Sequence, residues 1–406
     1  MIDLHFFKAH ARWLAAGFLL ALASSFGQTY FIALFAGEIR STFDLSHGAF
    51  GGLYTLATLA SAGTLVGLGH LADRMRLAGL SAIALCALAA MSLAMAGVSS
   101  TIMLVGVLFG LRLFGQGMLT HIAMTAMARW FAEHRGRALS IAALGHPAGE
   151  AILPSVVVVL TIAIGWRATW LAATAFLLAA APLVFWLLRR EPASARTHLG
   201  AGGAVRSDRR QWTRSEVLRD RHFYALLPGI MAPSFMTTAV FFHQVHLAET
   251  KAWTLGWFAA CYPIYALATV LVSLASGWAI DRKGAARLLP FYLVPLASGL
   301  LALATVDGPP AAVLFMTLAG ITSGGAVTLL GALWAELYGT RHLGAIRALA
   351  VASMVLSSAL GPGVMGALID WGVSLEDQFL AMAAYALGAA GLFHLLTPRL
   401  RHLTAA

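Results

Sequence analysis

Charge is scarce in this chain. Asp, Glu, Lys and Arg make up 11% of the 406 residues, against about 25% in soluble domains, while 60% are hydrophobic. A mean hydropathy of +0.80 excludes a water-soluble fold, whose interior could not hide that much apolar surface. Cysteine is nearly absent: Cys86 and Cys261 both fall in apolar stretches, which excludes a disulfide framework and a thiolate metal centre. There is no Gly-x-x-x-x-Gly-Lys-Ser/Thr loop for nucleotide hydrolysis, no His-Glu-x-x-His helix and no Gly-x-Ser-x-Gly turn. The expectation is therefore no enzyme, no cofactor and no metal. A sensor or receptor is also disfavoured, since no large soluble module is present to relay a signal.

What fills the sequence is apolar runs of membrane-spanning length, about 20 residues each. Read between charged and Pro/Gly-rich breaks, they predict helices near 13–36, 45–71, 77–98, 101–128, 137–164 and 166–188. After a polar stretch, a second set follows near 223–247, 253–279, 286–305, 310–337, 342–369 and 375–396. Lys8 and Arg12 precede the first run, which is too long for a signal-peptide core and reads as the first membrane helix.

The formal charge is +10, but its placement argues against nucleic acid. With the amino terminus in the cytoplasm, only Arg40, Arg167 and Lys251 face outward and Arg112 alone lies inside the membrane, so the rest of the 27 Lys and Arg are cytoplasmic. That is the positive-inside pattern. It places both termini in the cytoplasm and the chain in a bacterial-type inner membrane. Residues 189–221 carry nine arginines among Gly, Ala and Ser and divide the helices six and six. They read as a basic cytoplasmic linker between an amino-terminal half (1–188) and a carboxy-terminal half (222–406). The linker either binds anionic lipid head groups or merely fixes topology.

An internal repeat supports the division. Gly69, Asp73, Gly136 and Pro154 recur as Gly277, Asp281, Gly344 and Pro362, each 208 residues later. Around the first two positions stand Gly69-His-Leu-Ala-Asp-Arg74 and Gly277-Trp-Ala-Ile-Asp-Arg-Lys-Gly284. With Arg112, Arg129-Trp-Phe-Ala-Glu-His-Arg-Gly-Arg137 and Gly165-Trp-Arg167, the chain resembles the major facilitator superfamily. Within it, the Arg-Trp-Phe stretch and Ala335-Glu-Leu-Tyr-Gly339 are similar to the branch of monocarboxylate and oxalate/formate transporters. The resemblance implies twelve helices in two pseudo-symmetric halves and a solute carried by alternating access. In that branch anions commonly meet basic residues of the carboxy-terminal half. Here those helices read as having no Lys or Arg in their membrane interiors.

An ion at mid-bilayer costs at least about 2.5–3.5 kcal/mol and is a functional hypothesis by default. Arg112 lies about eleven residues into the fourth predicted helix and Glu150 about thirteen into the fifth. At 1.5 Å per residue both reach mid-depth, where they could pair. In the functional reading, Arg112 offers a forked donor to a carboxylate and Glu150 competes for it, taking up a proton when solute binds. In the structural reading they form a permanent ion pair; their repeat equivalents, Gly320 and Ser358, show that it is not a device common to both halves. Gln116 and His146 lie one turn from Arg112 and Glu150. Gln28, Tyr30, His243, Tyr262 and Tyr265, with Gln244, are further candidate cavity groups, or interface anchors and packing. Asp73 with Arg74, and Asp281 with Arg282, read as gates, the aspartates drawn to helix amino termini of the opposite half by about 0.3–1 kcal/mol.

The expected protein is thus an all-α secondary transporter, symporter or antiporter, of a small carboxylate-like anion. Protons or a counter-solute drive it, membrane lipids surround it, and it works as a monomer. The alternative is a proton-driven exporter of hydrophobic or cationic compounds, with Glu150 binding the cation.

Overall fold

In hydrocarbon a chain must satisfy every backbone N–H and C=O internally, so apolar runs fold as helices. A computed structural model describes the backbone of residues 4–131, 134–190 and 211–405, and their side chains except for residues 4–8, Asp73, Arg135 and 401–405. Eleven of the described helices are long and apolar enough to cross a membrane: α2 (His47–Leu68), α3 (Leu77–Ala96), α4 (Thr101–Trp130), α5 (Gly136–Ile164), α6 (Trp166–Leu188), α7 (Arg221–Phe242), α8 (Leu255–Lys283), α9 (Ala285–Thr305), α10 (Pro310–Tyr338), α11 (Leu343–Asp370) and α12 (Leu375–Leu400). A twelfth span, α1, is a pair bent by 46°, Ala9–Gly27 and Thr29–Phe43.

Large apolar side chains point outward, with Val66 87% and Ile102 88% exposed. Only a lipid surround makes that favourable, and the chain is a multi-pass membrane protein. Some hydroxyls inside the spans fold back on their own helix: Ser81 Oγ donates to Leu77 O at 2.7 Å and Thr174 Oγ1 to Trp170 O at 2.9 Å, which lowers their polar cost.

The helices cluster into two compact units, residues 1–45 with 53–202 and residues 46–52 with 203–406. In the first, α1 packs on α4, α5 and α6, and α3 on α6. Backbones touch where side chains are missing. A Cβ on Gly27 would collide with α4 at Leu111 O and Gly115, and one on Gly145 with α1 at Phe18 O and Leu22. In the second unit α8 packs on α10, α7 on α11, and α9 on both α10 and α12. Gly320 and Gly324 lie against Tyr265 and Thr269. Small residues at such crossings are how membrane helices approach closely. Residues 46–52 join this unit through Asp370, which accepts from Ser46 Oγ (2.6 Å) and from the N–H groups of His47 (3.0 Å) and Gly48 (2.8 Å).

The motif arginines terminate helices. Arg167 donates to Ala96 O (2.8 Å) and Val98 O (3.0 Å) at the end of α3, and Arg129 to Ala72 O (2.8 Å) just beyond α2. Each places a cation on carbonyls that carry the negative end of a helix dipole. Glu336 does the converse, accepting from the N–H groups of Ala285 (2.8 Å) and Ala286 (3.3 Å) at the start of α9, after Gly284 turns the chain at φ +80°.

Three boundaries differ from the sequence expectation. The first helix begins at Leu4 rather than near 13 and is broken at 24–28. The seventh stops at Phe242, and Gln244–Thr250 continues as a separate helix after His243 (φ −95°, ψ 20°). Phe35 breaks α1 with the same geometry (φ −100°, ψ 10°), 208 residues earlier, so the repeat extends to its kinks. The twelfth helix runs on to Ala405. Of the expected linker, 191–210 lies outside the described residues. Its end is held: Gln211 accepts from the N–H groups of Thr340 and Arg341, both at 2.9 Å, and Asp220 from Tyr338 Oη at 2.8 Å.

Candidate functional site

The centre of the first unit is organised by the break in α1. Residues 24–27 tighten into a 3₁₀ turn and Gln28 is extended (φ −83°, ψ 154°), which leaves Gly27 O free of the helical ladder. Arg112 takes it: Nη1 donates to Gly27 O at 3.0 Å and lies 3.4 Å from Thr29 Oγ1. Opposite, α4 widens into a π-helical stretch over Leu111–Leu119, the kind of distortion that re-aims side chains at functional sites. Tyr54 of α2 completes the pocket, its ring 5.3 Å from the guanidinium carbon and its hydroxyl 2.8 Å from Thr29 Oγ1. Arg112 is only 2% exposed. No carboxylate pairs with it among the described residues, and its Nε is buried without a partner there.

On another side of the same break, α5 presents Glu150 and His146, with His146 Nδ1 3.9 Å from a Glu150 carboxylate oxygen. The His146 ring stacks on Tyr30 at 6.2 Å between centroids. Gly149 permits this, since a Cβ there would strike Ser25 Oγ and come within 3.1 Å of Tyr30 Oη. Glu150 is buried, while the side chain of His146 is 38% exposed.

Arg112 and Glu150 do not form the ion pair that their equal depth suggested. The backbone of α1 packs on both α4 and α5, so each ion meets a different flank of the broken helix. Gln28 lies buried at the break and Gln116 is half-buried on α4.

In the second unit the candidates are committed to protein partners. Tyr262 Oη donates to Gln244 Oε1 (3.0 Å) and Tyr265 Oη to Ser323 Oγ (2.9 Å). His243 Nε2 lies 3.0 Å from Pro362 O, with the His47 ring 5.9 Å away. Of the gating residues, the side chain of Asp73 lies outside the described residues. Arg74 and Asp281 are exposed, and Arg282 stacks 3.9 Å from the Trp278 ring.

One residue was missed. Arg347, on the first turns of α11, lines a cavity of about 320 Å³ with Ser234 and Thr237 of α7 and Ser323 and Trp334 of α10. Its guanidinium lies beside Gly331, where a Cβ would be 4.0 Å from Nη2. The signal was present as an arginine four residues inside a helix. It was counted among the charges that fix topology.

The sequence matches the profile of the Major Facilitator Superfamily over residues 17–282. No curated protein matches it. Among solved structures, a bacterial homolog of the human lysosomal transporter Spinster, in an inward-facing and unoccupied conformation, superposes with a TM-score of 0.75 at 16% identity, covering 97% of this chain and 98% of that one. The nucleoside transporter NupG superposes with a TM-score of 0.72 at 13% identity over 95% and 99% of the two chains. At such identities the likeness is one of fold.

Proposed function

The chain belongs to the major facilitator superfamily, and from that premise we propose that it is a secondary active transporter of a small organic anion, driven by protons or by exchange. It is a transporter and not an enzyme. One observation carries the anion reading: a fully buried guanidinium, Arg112, without a carboxylate partner among the described residues and with its Nε donor unspent. A cation held in low dielectric by a backbone carbonyl and a tyrosine face has strong affinity for an incoming anion. The break in α1 supports the same reading, because discontinuous helices in transporters stand where backbone and side chains contact solute. In the second unit Arg347, beside three hydroxyl residues, offers a further cationic contact of the same chemistry.

Glu150 and His146 serve the coupling. When the anion occupies Arg112 the local field becomes more negative and Glu150 takes up a proton, relayed by the part-exposed imidazole. Asp73, Arg74, Asp281 and Arg282 gate the cytoplasmic side. Both termini are cytoplasmic and the chain resides in the inner membrane, following the distribution of Lys and Arg.

Counterflow in liposomes across a panel of carboxylates, nucleosides and organic cations tests this directly. The reading expects carboxylate exchange lost in Arg112→Gln and proton-gradient-driven uptake lost in Glu150→Gln. Cation extrusion that survives Arg112→Gln and disappears in Glu150→Gln assigns the protein instead to the exporters of hydrophobic or cationic compounds.

A further inference from the structure

Apart from both sites, the second unit contains a larger cavity of about 720 Å³ between α7, α11 and α12. Its walls are Leu, Met, Phe, Val and Ala, with Tyr224 and Tyr385 towards one end and Asp377 and Gln378 at the other. Along α7 it runs from Tyr224 to Met236, about 18 Å at the helical rise. That is a long, apolar, part-open volume of the size of a small-molecule site.

Its polar groups are sorted by type. Donors on the wall bind protein: Tyr224 Oη donates to Leu218 O (2.8 Å), Tyr385 Oη to Pro228 O (3.2 Å), Ser357 Oγ to Met231 O (3.0 Å) and one N–H of Gln378 Nε2 to Val373 O (3.1 Å). Two acceptors stand out beside them. Gln378 is only 3% exposed, and its Oε1 is buried with no partner among the described residues, a costly state for an amide oxygen. Beside it the Asp377 carboxylate accepts from Ser374 Oγ through Oδ2 (2.7 Å), leaving Oδ1 available. The neighbouring Lys251 is bound to Glu376 at 2.7 Å, so it does not cancel that charge.

We infer that this cavity is a second ligand site, for a single-chain amphiphile whose head is an ammonium bearing N–H donors. The head donates to Gln378 Oε1 and Asp377 at the start of α12, and the chain lies between α7, α11 and α12 towards Tyr224. An anionic head would meet the like charge of Asp377. A quaternary head would bring charge without a donor and leave Gln378 Oε1 unpaired.

The test uses the full chain in lipid nanodiscs, with dodecylamine, dodecyltrimethylammonium, dodecanol and dodecanoate as probes, read by thermal shift and by displacement of a fluorescent alkylamine. Dodecylamine is expected to bind at least tenfold more tightly than the other three. Asp377→Asn, which removes the charge, and Ala381→Phe, which fills the cavity, are each expected to weaken it at least tenfold. Two substitutions of different kind, one of charge and one of volume, guard against a folding defect in either, and each variant's unliganded melting temperature identifies one. Equal binding of all four probes, or unchanged dodecylamine binding in a folded Ala381→Phe variant, would reduce the cavity to a surface wetted by bulk lipid and overturn the assignment.

Discussion

Replacing Arg112 separates its two roles, because the structure gives them different magnitudes. As a structural group it supplies a charged hydrogen bond to Gly27 O at 3.0 Å. Losing that bond leaves a buried carbonyl unpaired at about 1–3 kcal/mol. The same substitution removes a desolvated cation with no acid partner, which offsets several kcal/mol of burial penalty. The net effect of Arg112→Gln on unliganded stability is therefore about 1 kcal/mol in either direction. As a ligand group it forms a buried ion pair, whose truncation costs about 2–5 kcal/mol, roughly a 30- to 3,000-fold loss of anion affinity at about 1.4 kcal/mol per decade. Arg112→Lys keeps the charge but not the fork and should fall between. Thermal unfolding with and without the anion, beside counterflow in liposomes, measures both quantities on one sample. A variant that unfolds well below the wild type while still binding anion with unchanged affinity would show that Arg112 only staples the break in α1, and the anion reading would be abandoned.

Other expectations follow from the same geometry. Glu150→Gln should abolish uptake driven by a pH gradient while leaving solute exchange intact, since exchange needs no net proton; identical pH profiles in variant and wild type would remove Glu150 from coupling. Gly27→Ala forces a methyl into the α4 backbone at Leu111 O and Gly115, and neither partner can yield as a flexible side chain would. Expression as folded protein should collapse, whereas Gly52→Ala, with nothing near its Cβ, should be silent; equal behaviour of the two contradicts the helix crossing described. Arg347→Gln should weaken anion binding about tenfold or more without changing the melting temperature, because the side chain is exposed on the cavity wall; a result within twofold of wild type excludes it from recognition. Asp370→Ala removes three hydrogen bonds that cap residues 46–48 and should cost about 0.5–2 kcal/mol of stability, read from the unfolding midpoint.

The spans were legible because twenty-residue hydrophobicity is a strong signal, and the repeat because Gly, Asp and Pro sit at junctions that backbone geometry constrains. The break in α1 was not legible. Ser24-Ser25-Phe26-Gly27 contains no proline and is apolar enough to continue a helix; what stabilises its interruption is a guanidinium 85 residues away. Arg112 and Glu150 are both buried, yet position along a helix says nothing of which neighbour intervenes, and α1 does. Arg347 and Gln378 escaped for a related reason. Each stands in the first turns of a helix, where sequence alone reads charge as topology and amides as capping. Only packing reveals that one faces a cavity and the other ends in an unpaired oxygen.

The broken helix also constrains how a solute can be released. An anion competes with Gly27 O only where it claims Arg112 Nη1, which is spent on the carbonyl, whereas Nε is not. An anion arriving at Nε adds to the existing contact, whereas one that claims the whole fork must release Gly27 O into an apolar surround at about 1–3 kcal/mol. That penalty falls on the bound state and caps the affinity, as a transporter requires if its solute is to leave on the far side. It also makes the break itself an affinity control. Thr29→Val removes the hydroxyl 3.4 Å from Nη1 and 2.8 Å from Tyr54 Oη, so Nη1 loses one oxygen neighbour and the fork turns more readily to solute. Anion affinity should rise about two- to fivefold while the exchange rate falls, because release becomes slower. Tighter binding with faster exchange would mean that release is limited elsewhere, and the competition between carbonyl and anion would have no bearing on turnover.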